Sequence, residues 1–566
     1  MSFPIKRVVA YTLAVFATAI LAVAYLVYDQ LSDLDNFKLA LTEHLEGLTR
    51  RKVSIGSAEL SFSRGIGVKL KDVAFRHPSL GRPEFTSREI RMRVTILPLL
   101  NKRVEIQKVI VHDSLTHVFR DAEGRFNFDD LRPLISPPAG EATGPLLGIF
   151  RESLLHKLEL RNGEIRFLDF LGRPQGEPAD IRIVKADLFI QKNLIQSPFN
   201  FTLRGEVPNA ERKASFEISG ALRSPSRGKN ILDLTADGTI KIRDLYLAQF
   251  QPYLPPRAGL TDSWATLDSS FSGALDGRFS SSGKAVLASR QAENGPAFTD
   301  AGKPSRGSVT YKFSLDKDKI VLEQLDFASE QFRMEASGSF TRVAGGSPEI
   351  SFSARSGEFL VDKSDQYPPL AIFPEKARDL IRKIFKNGTI RIDELSFKGA
   401  LEQFQNLTDP RNLSLLRADL AVNKLDWISP LPPFKKVSGS LKFDAGEMTM
   451  LVDKSYYQGL PVAKLAGKIG DLAGSPYLDW QLDSGVDLSQ LHKALPKILE
   501  DNSFEPLLKR YQGIQGTGTI RIGIKGPLEG EDNLAIDGTL TMDKAEIKQR
   551  ILTPVPIAGL KGKVAF

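Results

Sequence analysis

The stretch RKVSIGSAELSFSRGIGVKLKDVAFRH, residues 51–77, alternates apolar and polar side chains with hardly a break. Side chains in a β-strand point alternately to the two faces of a sheet, so this period of two predicts strands with one apolar and one polar face. Between Leu70 and Val73 the alternation changes phase, which predicts a β-bulge near Lys71. One-sided strands of this kind continue along the chain, and we therefore predict a mainly β fold.

A short sequence theme recurs and predicts tandem hairpins. In each copy a glycine, mostly after Asn or Asp, precedes an alternating strand, as in NGEIRF, DGTIKI, NGTIRI, GTGTIRIGI and DGTLTM. Asn-Gly and Asp-Gly supply the positive φ angles of tight turns. The copies are spaced too irregularly for a strict solenoid. We expect an elongated, curled, mostly antiparallel sheet of repeating strands with a few short amphipathic helices.

The N-terminus carries a candidate membrane anchor. Residues 8–28 are uncharged and long enough to span a bilayer as one helix. Lys6 and Arg7 precede this run and acidic residues follow it from Asp29 onward, so the positive-inside rule predicts a cytoplasmic N-terminus and an exported body. A signal peptide cleaved near residues 22–24, an A-x-A-like site, is the alternative.

Composition and turn-rich stretches divide the remainder of the chain. Two inserts, from Pro374 and from Asp487, have the spacing of amphipathic helices and either plug the sheet or pack on its apolar face. The predicted segments are a cytoplasmic tip at 1–7, the transmembrane anchor at 8–28, an N-terminal region at 29–131, a linker at 132–145, a repeating β region at 146–373, and a C-terminal β region with helical inserts at 374–566.

The sequence offers no catalytic arrangement. It has no nucleophile elbow, no H-E-x-x-H and no complete phosphate loop. His112 and His117, the closest histidine pair, are an odd number of residues apart and are predicted on opposite faces of one strand. Asp129 and Asp130 are adjacent carboxylates, but a turn followed by a helix start uses the same residues. We predict a protein that is not an enzyme and has no cofactor and no metal site.

Cysteine and charge exclude further classes. The chain has no cysteine, so disulfides and thiolate metal sites are excluded. The net charge of +8 is spread along strands, which is typical of solvated sheet faces rather than of a nucleic-acid patch. We expect no nucleic-acid partner.

Two architectures satisfy the alternation. Sandwiches bury two apolar faces against each other, whereas a long curled sheet leaves its apolar face lining a groove. Such a groove would expose a larger apolar area than soluble proteins usually expose, so it should hold an apolar ligand. Phospholipid acyl chains are the natural ligand beside a membrane anchor. The alternation does not choose between the two. The candidate groove-lining residues are Ile90, Met92, Val94, Ile240, Ile242, Ile390, Ile392, Ile520, Ile522 and Ile524.

Several of these stretches resemble a known family. The segments RRKVSIGSAELSFSRGIGVKLKDVAF, LPLL with RVEIQKVIVHD, and GRFNFDDL follow a single anchor in the order found at the start of AsmA-family envelope proteins. Farther on, PPFKKVSGSLKFDAGEMTMLVDKSYYQGLPVAKLAGKIGDL resembles the AsmA-like region of the YhdP branch. Regions 29–131 and 374–566 are thus AsmA-like.

The resemblance implies a single-pass inner-membrane protein of a Gram-negative cell, with a periplasmic β-groove related to the bridge-type lipid-transfer proteins of the AsmA, YhdP and TamB group. It implies transport of phospholipid toward the outer membrane, and an outer-membrane or envelope protein as a partner at the C-terminal end. The YhdP branch is far longer than this chain, which ends on half of a strand unit, so a fragment and a shorter relative are both open. A structural factor for outer-membrane protein assembly, built from closed β-sandwiches, is the alternative function, and a surface-glycan enzyme is a third.

Overall fold

The computed structural model describes most of the chain after the predicted anchor. The described residues are 34–61, 67–78, 81–94, 106–131, 156–171, 177–192, 199–209, 213–223, 235–253, 263–274, 277–289, 305–330, 332–343, 345–362, 385–407, 409–427, 433–472, 474–499, 511–528, 534–549 and 557–565. The predicted anchor at 8–28, the linker at 132–145 and residues 374–384 of the first helical insert lie outside them. Among the described helices, none combines the length and the apolar character needed to cross a bilayer.

The chain divides into two compact units. The first comprises Met1–Leu254 and Thr261–Val286, and the second comprises Pro255–Leu260 and Leu287–Phe566. The described strands of the first unit, which ends within the last of them, are β1 Lys52–Ser61, β2 Gly67–Arg76, β3 Pro83–Val94, β4 Ile106–Arg120, β5 Lys157–Asp169, β6 Ala179–Lys192, β7 Phe199–Pro208, β8 Lys213–Arg223, β9 Thr235–Tyr246, β10 Ser263–Ala274 and β11 Phe279–Ser289.

The second unit is built in the same way. Its described strands are β12 Ser305–Asp316, β13 Lys319–Ser329, β14 Arg333–Thr341, β15 Glu349–Ser356, β16 Phe359–Leu360, β17 Phe385–Lys386, β18 Thr389–Ala400, β19 Leu416–Trp427, β20 Phe434–Asp444, β21 Glu447–Tyr457, β22 Leu460–Val462, β23 Lys464–Gly470, β24 Tyr477–Asp487, β25 Tyr511–Pro527, β26 Ala535–Gln549 and β27 Ile557–Ala565. The mainly β fold predicted from the alternation is confirmed.

Helices are short and few in the described part of the chain. The α-helices are α1 Leu34–Thr49, α2 Leu401–Gln405, α3 Pro410–Leu413 and α4 Leu488–Leu499, and the 3₁₀ helices are Asp129–Leu131 and Leu247–Tyr253. Helix α4 coincides with the second predicted helical insert, which is therefore confirmed as helical over this range. The turn and helix start predicted at Asp129 and Asp130 are also confirmed.

Sequential strands pair with each other in both units. All the pairings among β1–β4, among β5–β9 and from β12 to β27 are antiparallel, whereas β4 and β5 pair in parallel. A parallel pair cannot be joined by a tight turn and needs a longer crossover. The segment between β4 and β5 is accordingly long, and the predicted mostly antiparallel sheet is confirmed.

The predicted change of phase near Lys71 is present. Leu70 and Val73 are three residues apart yet both are buried in one apolar cluster, because Asp72 between them has a φ of 52°. The register between β1 and β2 is not shifted there, since Ala58 faces Leu70 and Ile55 faces Val73, so the predicted β-bulge near Lys71 is wrong. The facing residues are three positions apart in both strands, and the pairing therefore continues through the change of phase.

The same backbone step recurs at the same level of neighbouring strands. Asp113 in β4 and Asn162 in β5 have φ values of 50° and 53°. Asn and Asp tolerate this left-handed conformation better than other residues with a side chain. The Asn162 amide Nδ2 donates a hydrogen bond of 2.6 Å to the Asp113 Oδ1, which joins the two steps across the parallel pair.

Candidate functional site

One row of aliphatic side chains crosses eight successive strands of the first unit. Residues directly opposite each other in a sheet lie on the same face, so the cross-strand register identifies the row. Its members, from β2 to β9, are Leu70, Ile90, Val111, Leu160, Leu188, Leu203, Ile218 and Ile240. At about 4.8 Å between strands, this aliphatic row extends over roughly 34 Å.

Most of the aliphatic row is only half-buried. Leu70 is 3% exposed, whereas the seven members from Ile90 to Ile240 are all of intermediate exposure. A parallel row on the same face adds Val68, Met92, Val109, Leu158, Ile190 and Phe201. Nearly uninterrupted apolar surface that is neither fully packed nor fully solvated is typical of a ligand-binding groove.

The opposite face of the same strands is charged. Cross-strand ion pairs join neighbouring strands there, with Arg182 Nε at 2.6 Å from Glu164 and Arg204 Nε at 2.8 Å from Glu217. Arg204 and Glu217 are adjacent along their own strands to Leu203 and Ile218 of the aliphatic row, and they therefore point to the opposite face. The face of the sheet that carries the aliphatic row is thus clearly distinguished from the solvated face.

Helix α1 covers the beginning of the aliphatic row. Leu41 and Leu45 of the helix pack on a buried cluster that includes Val53 and Leu70. Lys38 Nζ donates a 3.0 Å hydrogen bond to the Gly56 carbonyl. The cover explains why Leu70 is buried while the members of the row on the following strands are not.

A buried guanidinium fixes the start of β1. Arg51 is 2% exposed, and its Nε lies 2.6 Å from Glu84 while its two other nitrogens lie 2.5 and 2.8 Å from Asp130. The hydrogen bond to Asp130 is the main cause that raises the pKa of Arg51, and Arg51 in turn lowers the pKa of Asp130. Asp129 is used differently, since it accepts a 2.7 Å hydrogen bond from the Phe126 amide. The adjacent carboxylates therefore have structural partners.

A second polar cluster lies where β4 and β5 end. Asp169 is buried and accepts hydrogen bonds from Arg120, at 2.8 Å from its Nε, and from the Tyr253 hydroxyl. The Arg120 hydrogen bond holds the pKa of Asp169 well below its usual range. Burial, followed by the hydrogen bond to Asp169, raises the pKa of Tyr253 to about 12. The 3₁₀ helix that ends at Tyr253 is thereby tied to β5.

One buried carboxylate is surrounded by three cations. Glu159 is 1% exposed and lies 2.7 Å from Lys108, 2.9 Å from Lys157 and 2.6 Å from Arg161. Burial alone would raise its pKa, but hydrogen bonds from the three cations outweigh burial and lower the pKa to about 2. The carboxylate stays ionised at neutral pH, so it carries no proton to donate as a general acid. Among the described residues, no group of three or more His, Asp and Glu could hold a metal ion.

The apolar face of the second unit is packed with its own side chains. Trp427 of β19 and Trp480 of β24 are separated by three long strands in the pairing order, yet their rings meet edge to face at 6.2 Å. Phe434 of β20 also contacts Trp480, at 6.1 Å. Side chains of non-adjacent strands can meet only if the sheet curls around them. The interior of this curl is therefore a core of buried side chains.

The candidate groove-lining residues fall into three environments. Ile90, Met92, Ile240 and Ile242 are half-buried in the first unit, and Val94 lies at the end of β3 opposite Ile106. In the second unit, Ile390 and Ile392 are 5% and 7% exposed within the packed core. On β25, Ile520, Ile522 and Ile524 are half-buried: Ile524 packs on that core and Ile520 packs on the cluster under α4.

Six strands of the aliphatic row, β2 and β4 to β8, contribute members that were not among the candidate groove-lining residues. These members are Leu70, Val111, Leu160, Leu188, Leu203 and Ile218. None of the six has an Asn-Gly or Asp-Gly pair directly before it, and at Leu160 the pair Asn162-Gly163 follows. Only the pairing register identifies them, because alternation assigns a face within one strand and not between strands.

Comparisons with known proteins agree with the motifs. The model of the family described as YhdP protein matches residues 269–566, just over half of the chain. The model of the AsmA family matches residues 5–143. Both are AsmA-like bridge-type lipid-transfer families, so the resemblance seen in the sequence is confirmed. Neither the curated proteins nor the solved structures provide a match to the chain.

Proposed function

Because the chain belongs to the YhdP protein family, we propose that it is a non-enzymatic envelope protein that binds or conducts phospholipid through an apolar β-groove toward the outer membrane. The observation that carries this proposal is the half-buried aliphatic row of the first unit. An acyl chain lying along this row would exchange water-exposed aliphatic surface for apolar contact, which is favourable without any directional bond.

Charge placement supports the same function. The polar clusters at Arg51 and at Asp169 lie at strand ends, and every aliphatic row member is uncharged. An acyl chain has no group that could neutralise a charge, so an ionised side chain within the row would oppose its passage. A phospholipid would place its tails on the row and its headgroup toward water.

Site-specific crosslinking tests this function. A photo-crosslinking amino acid at Ile218 or Ile240, which face each other across β8 and β9, should form adducts with phospholipid in cells. Glu217 and Lys241 also face each other on these strands but point to the charged face, and they are matched controls. Adducts at the two isoleucines alone are expected. No adduct at either isoleucine, or equal adducts at all four positions, would contradict the proposal.

We propose the inner membrane as the site of attachment. The run at 8–28 would act as a single-pass anchor, with the N-terminus in the cytoplasm and the body in the periplasm, and the C-terminal end would meet an outer-membrane or envelope protein. A periplasm-dependent reporter fused after Asp130 should be active, and the mature chain should retain Met1 or Ser2. Recovery of a chain that begins near Tyr25 would eliminate the anchor and leave export intact.

The alternative is a structural factor in outer-membrane protein assembly. The packed core around Trp427 and Trp480 favours it, because a filled interior leaves no surface for lipid in that part of the second unit. The strands of each unit nevertheless belong to one sheet and not to two facing sheets. Deletion of the protein should then lower outer-membrane protein levels while crosslinking at Ile240 captures no lipid.

A further inference from the structure

Helix α4 lies on the apolar face of β25 and β26. Leu488, Leu491 and Ala494 of the helix are buried in one cluster, and Ile520 of β25 and Leu540 of β26 pack against that cluster. The helix spacing of three residues between the buried positions gives one continuous apolar stripe. The stripe and the strand residues beneath it form a contact between aliphatic groups, with no ion pair among these five residues.

In the part of the chain that the structure describes, the same face continues beyond the helix with exposed apolar side chains. Ile536 of β26 lies opposite Ile524 and is 59% exposed, and Val564 of β27 lies opposite Leu540 and is 47% exposed. Isoleucine and valine exposed to this degree, beside a covered stretch of the same face, form a surface to which an apolar ligand can bind. The covered and uncovered parts are joined at Leu540.

The two ends of helix α4 differ in how they are held. Pro496 lies within α4, and proline removes one backbone donor and disturbs the preceding turn of a helix. At the other end, the Asp487 carboxylate caps the helix by accepting hydrogen bonds of 2.8 and 3.1 Å from the Ser489 and Gln490 amides. Asp487 is also the last residue of β24 and lies opposite Thr517 of β25, so the start of α4 is held directly by the sheet. Beyond this start, the attachment of α4 to β25 and β26 rests on its aliphatic stripe.

We propose that the apolar face of β25 and β26 beneath α4 is an acyl-chain site, and that α4 and a lipid chain compete for it. This inference rests on the proposed function and adds one site and its control. An acyl chain offers Ile520 and Leu540 the same kind of contact that Leu488 and Leu491 provide, since apolar burial is non-directional. Lipid that arrives at Ile536 would then displace the helix, and departure of the lipid would allow the helix to return.

A bridge between the helix and the sheet tests the competition. The chain has no cysteine, so Leu488→Cys with Leu540→Cys creates a single thiol pair. Both side chains reach within 3.4 Å of the point where a Cβ on Gly518 would lie, which is within range of a short bifunctional maleimide. In full-length protein with a photo-crosslinker at Ile520, the bridged form should lose at least nine-tenths of its phospholipid adducts relative to the unbridged double variant.

Loosening the helix should have the opposite effect. Leu491→Ser removes one buried contact of the stripe and should raise lipid adducts at Ile520 several-fold, whereas Lys493→Ser on the exposed side of α4 is the matched control and should change nothing. Adducts at Ile520 that persist after bridging, or that do not respond to Leu491→Ser, would overturn the competition.

A crosslinker at Ile240 separates this inference from the proposed function. Ile240 belongs to the first unit and α4 to the second, so the lipid adducts at Ile240 should be unchanged by the bridge. Adducts at Ile240 without any response at Ile520 would overturn the acyl-chain site under α4 and leave the proposed function standing. Absence of adducts at Ile240 as well would overturn the proposed function itself.

Discussion

A pair of identical substitutions distinguishes an open groove from a packed core. Ile240 is the first isoleucine of DGTIKI and Ile392 the second isoleucine of NGTIRI, two copies of the same theme, but Ile240 is half-buried and Ile392 is 7% exposed. We predict that Ile392→Asp strongly destabilises the second unit. We also predict that Ile240→Asp leaves the first unit folded and reduces lipid adducts at the neighbouring Ile218.

The magnitudes follow from burial. Loss of the Ile392 side chain from a packed core costs about 2 to 3 kcal/mol, and an unpaired polar group in its place adds about 1 to 3 kcal/mol. The total of roughly 3 to 6 kcal/mol is a large part of the stability of a domain. Ile240 is only half-buried, so its replacement loses about half of one apolar burial, about 1 kcal/mol.

Intrinsic fluorescence provides the assay. The chain has three tryptophans, of which Trp427 and Trp480 lie in the packed core and Trp264 lies in the first unit. In a Trp264→Phe background, urea unfolding of the full chain followed by fluorescence therefore reports the second unit. Ile392→Asp should lower its midpoint by 1 M or more, at a slope of about 3 kcal/mol per M. Limited proteolysis follows the first unit. Equal destabilisation of both units by the two substitutions would refute this reasoning.

Three further outcomes follow from individual contacts. Glu159→Gln should lower the stability by about 2 kcal/mol at neutral pH, because a carboxylate whose pKa is lowered to about 2 stabilises the fold above its ordinary pKa of 4.5. That contribution disappears as the pH falls from 4.5 toward 2. Acid unfolding of the variant should therefore depend less on pH in this window than acid unfolding of the unmodified protein. Arg51→Met should lower stability by about 2 to 4 kcal/mol, measured by thermal unfolding, because Glu84 loses its buried cation, and a second change, Glu84→Gln, should recover part of the loss. Gly205→Ala should reduce lipid adducts on β8 with little loss of stability, since the added methyl lies 2.7 Å from the end of the Phe216 ring and the ring must move aside.

Local sequence was sufficient to predict the strands and the turns. Alternation predicted the phase change between Leu70 and Val73, and the structure contains it at Asp72. The Asp129 and Asp130 pair was assigned to a turn and helix start, and it lies in a 3₁₀ helix whose carboxylates have structural partners. These features depend on residues close in sequence, and the backbone preferences of Asp, Asn and Gly act at that range.

Prediction failed where a backbone step or long-range curvature intervened. His112 and His117 were predicted on opposite faces of β4, and this is wrong, because the left-handed Asp113 between them changes the phase of the alternation. As a consequence of the same change, Ser114 lies against Gly163 on the apolar face. Burial was also beyond local reasoning. Ile240 and Ile392 differ in burial because side chains of non-adjacent strands fill the curl of the sheet around Ile392. Only the three-dimensional course of the sheet determines which side chains meet there.

The length of the aliphatic row determines how substitutions along it should behave. The row extends over roughly 34 Å, and one leaflet of acyl chains is about 15 Å thick, so about two chains can follow each other along it. A lipid passing along such a row meets every member in turn, and none is a unique binding residue. Single Asp substitutions at Val111, Leu188 and Ile218 should therefore reduce lipid transfer to a similar degree, measured as labelled phospholipid moved between donor and acceptor vesicles. A discrete lipid-binding pocket would instead give one sensitive position and two tolerant ones.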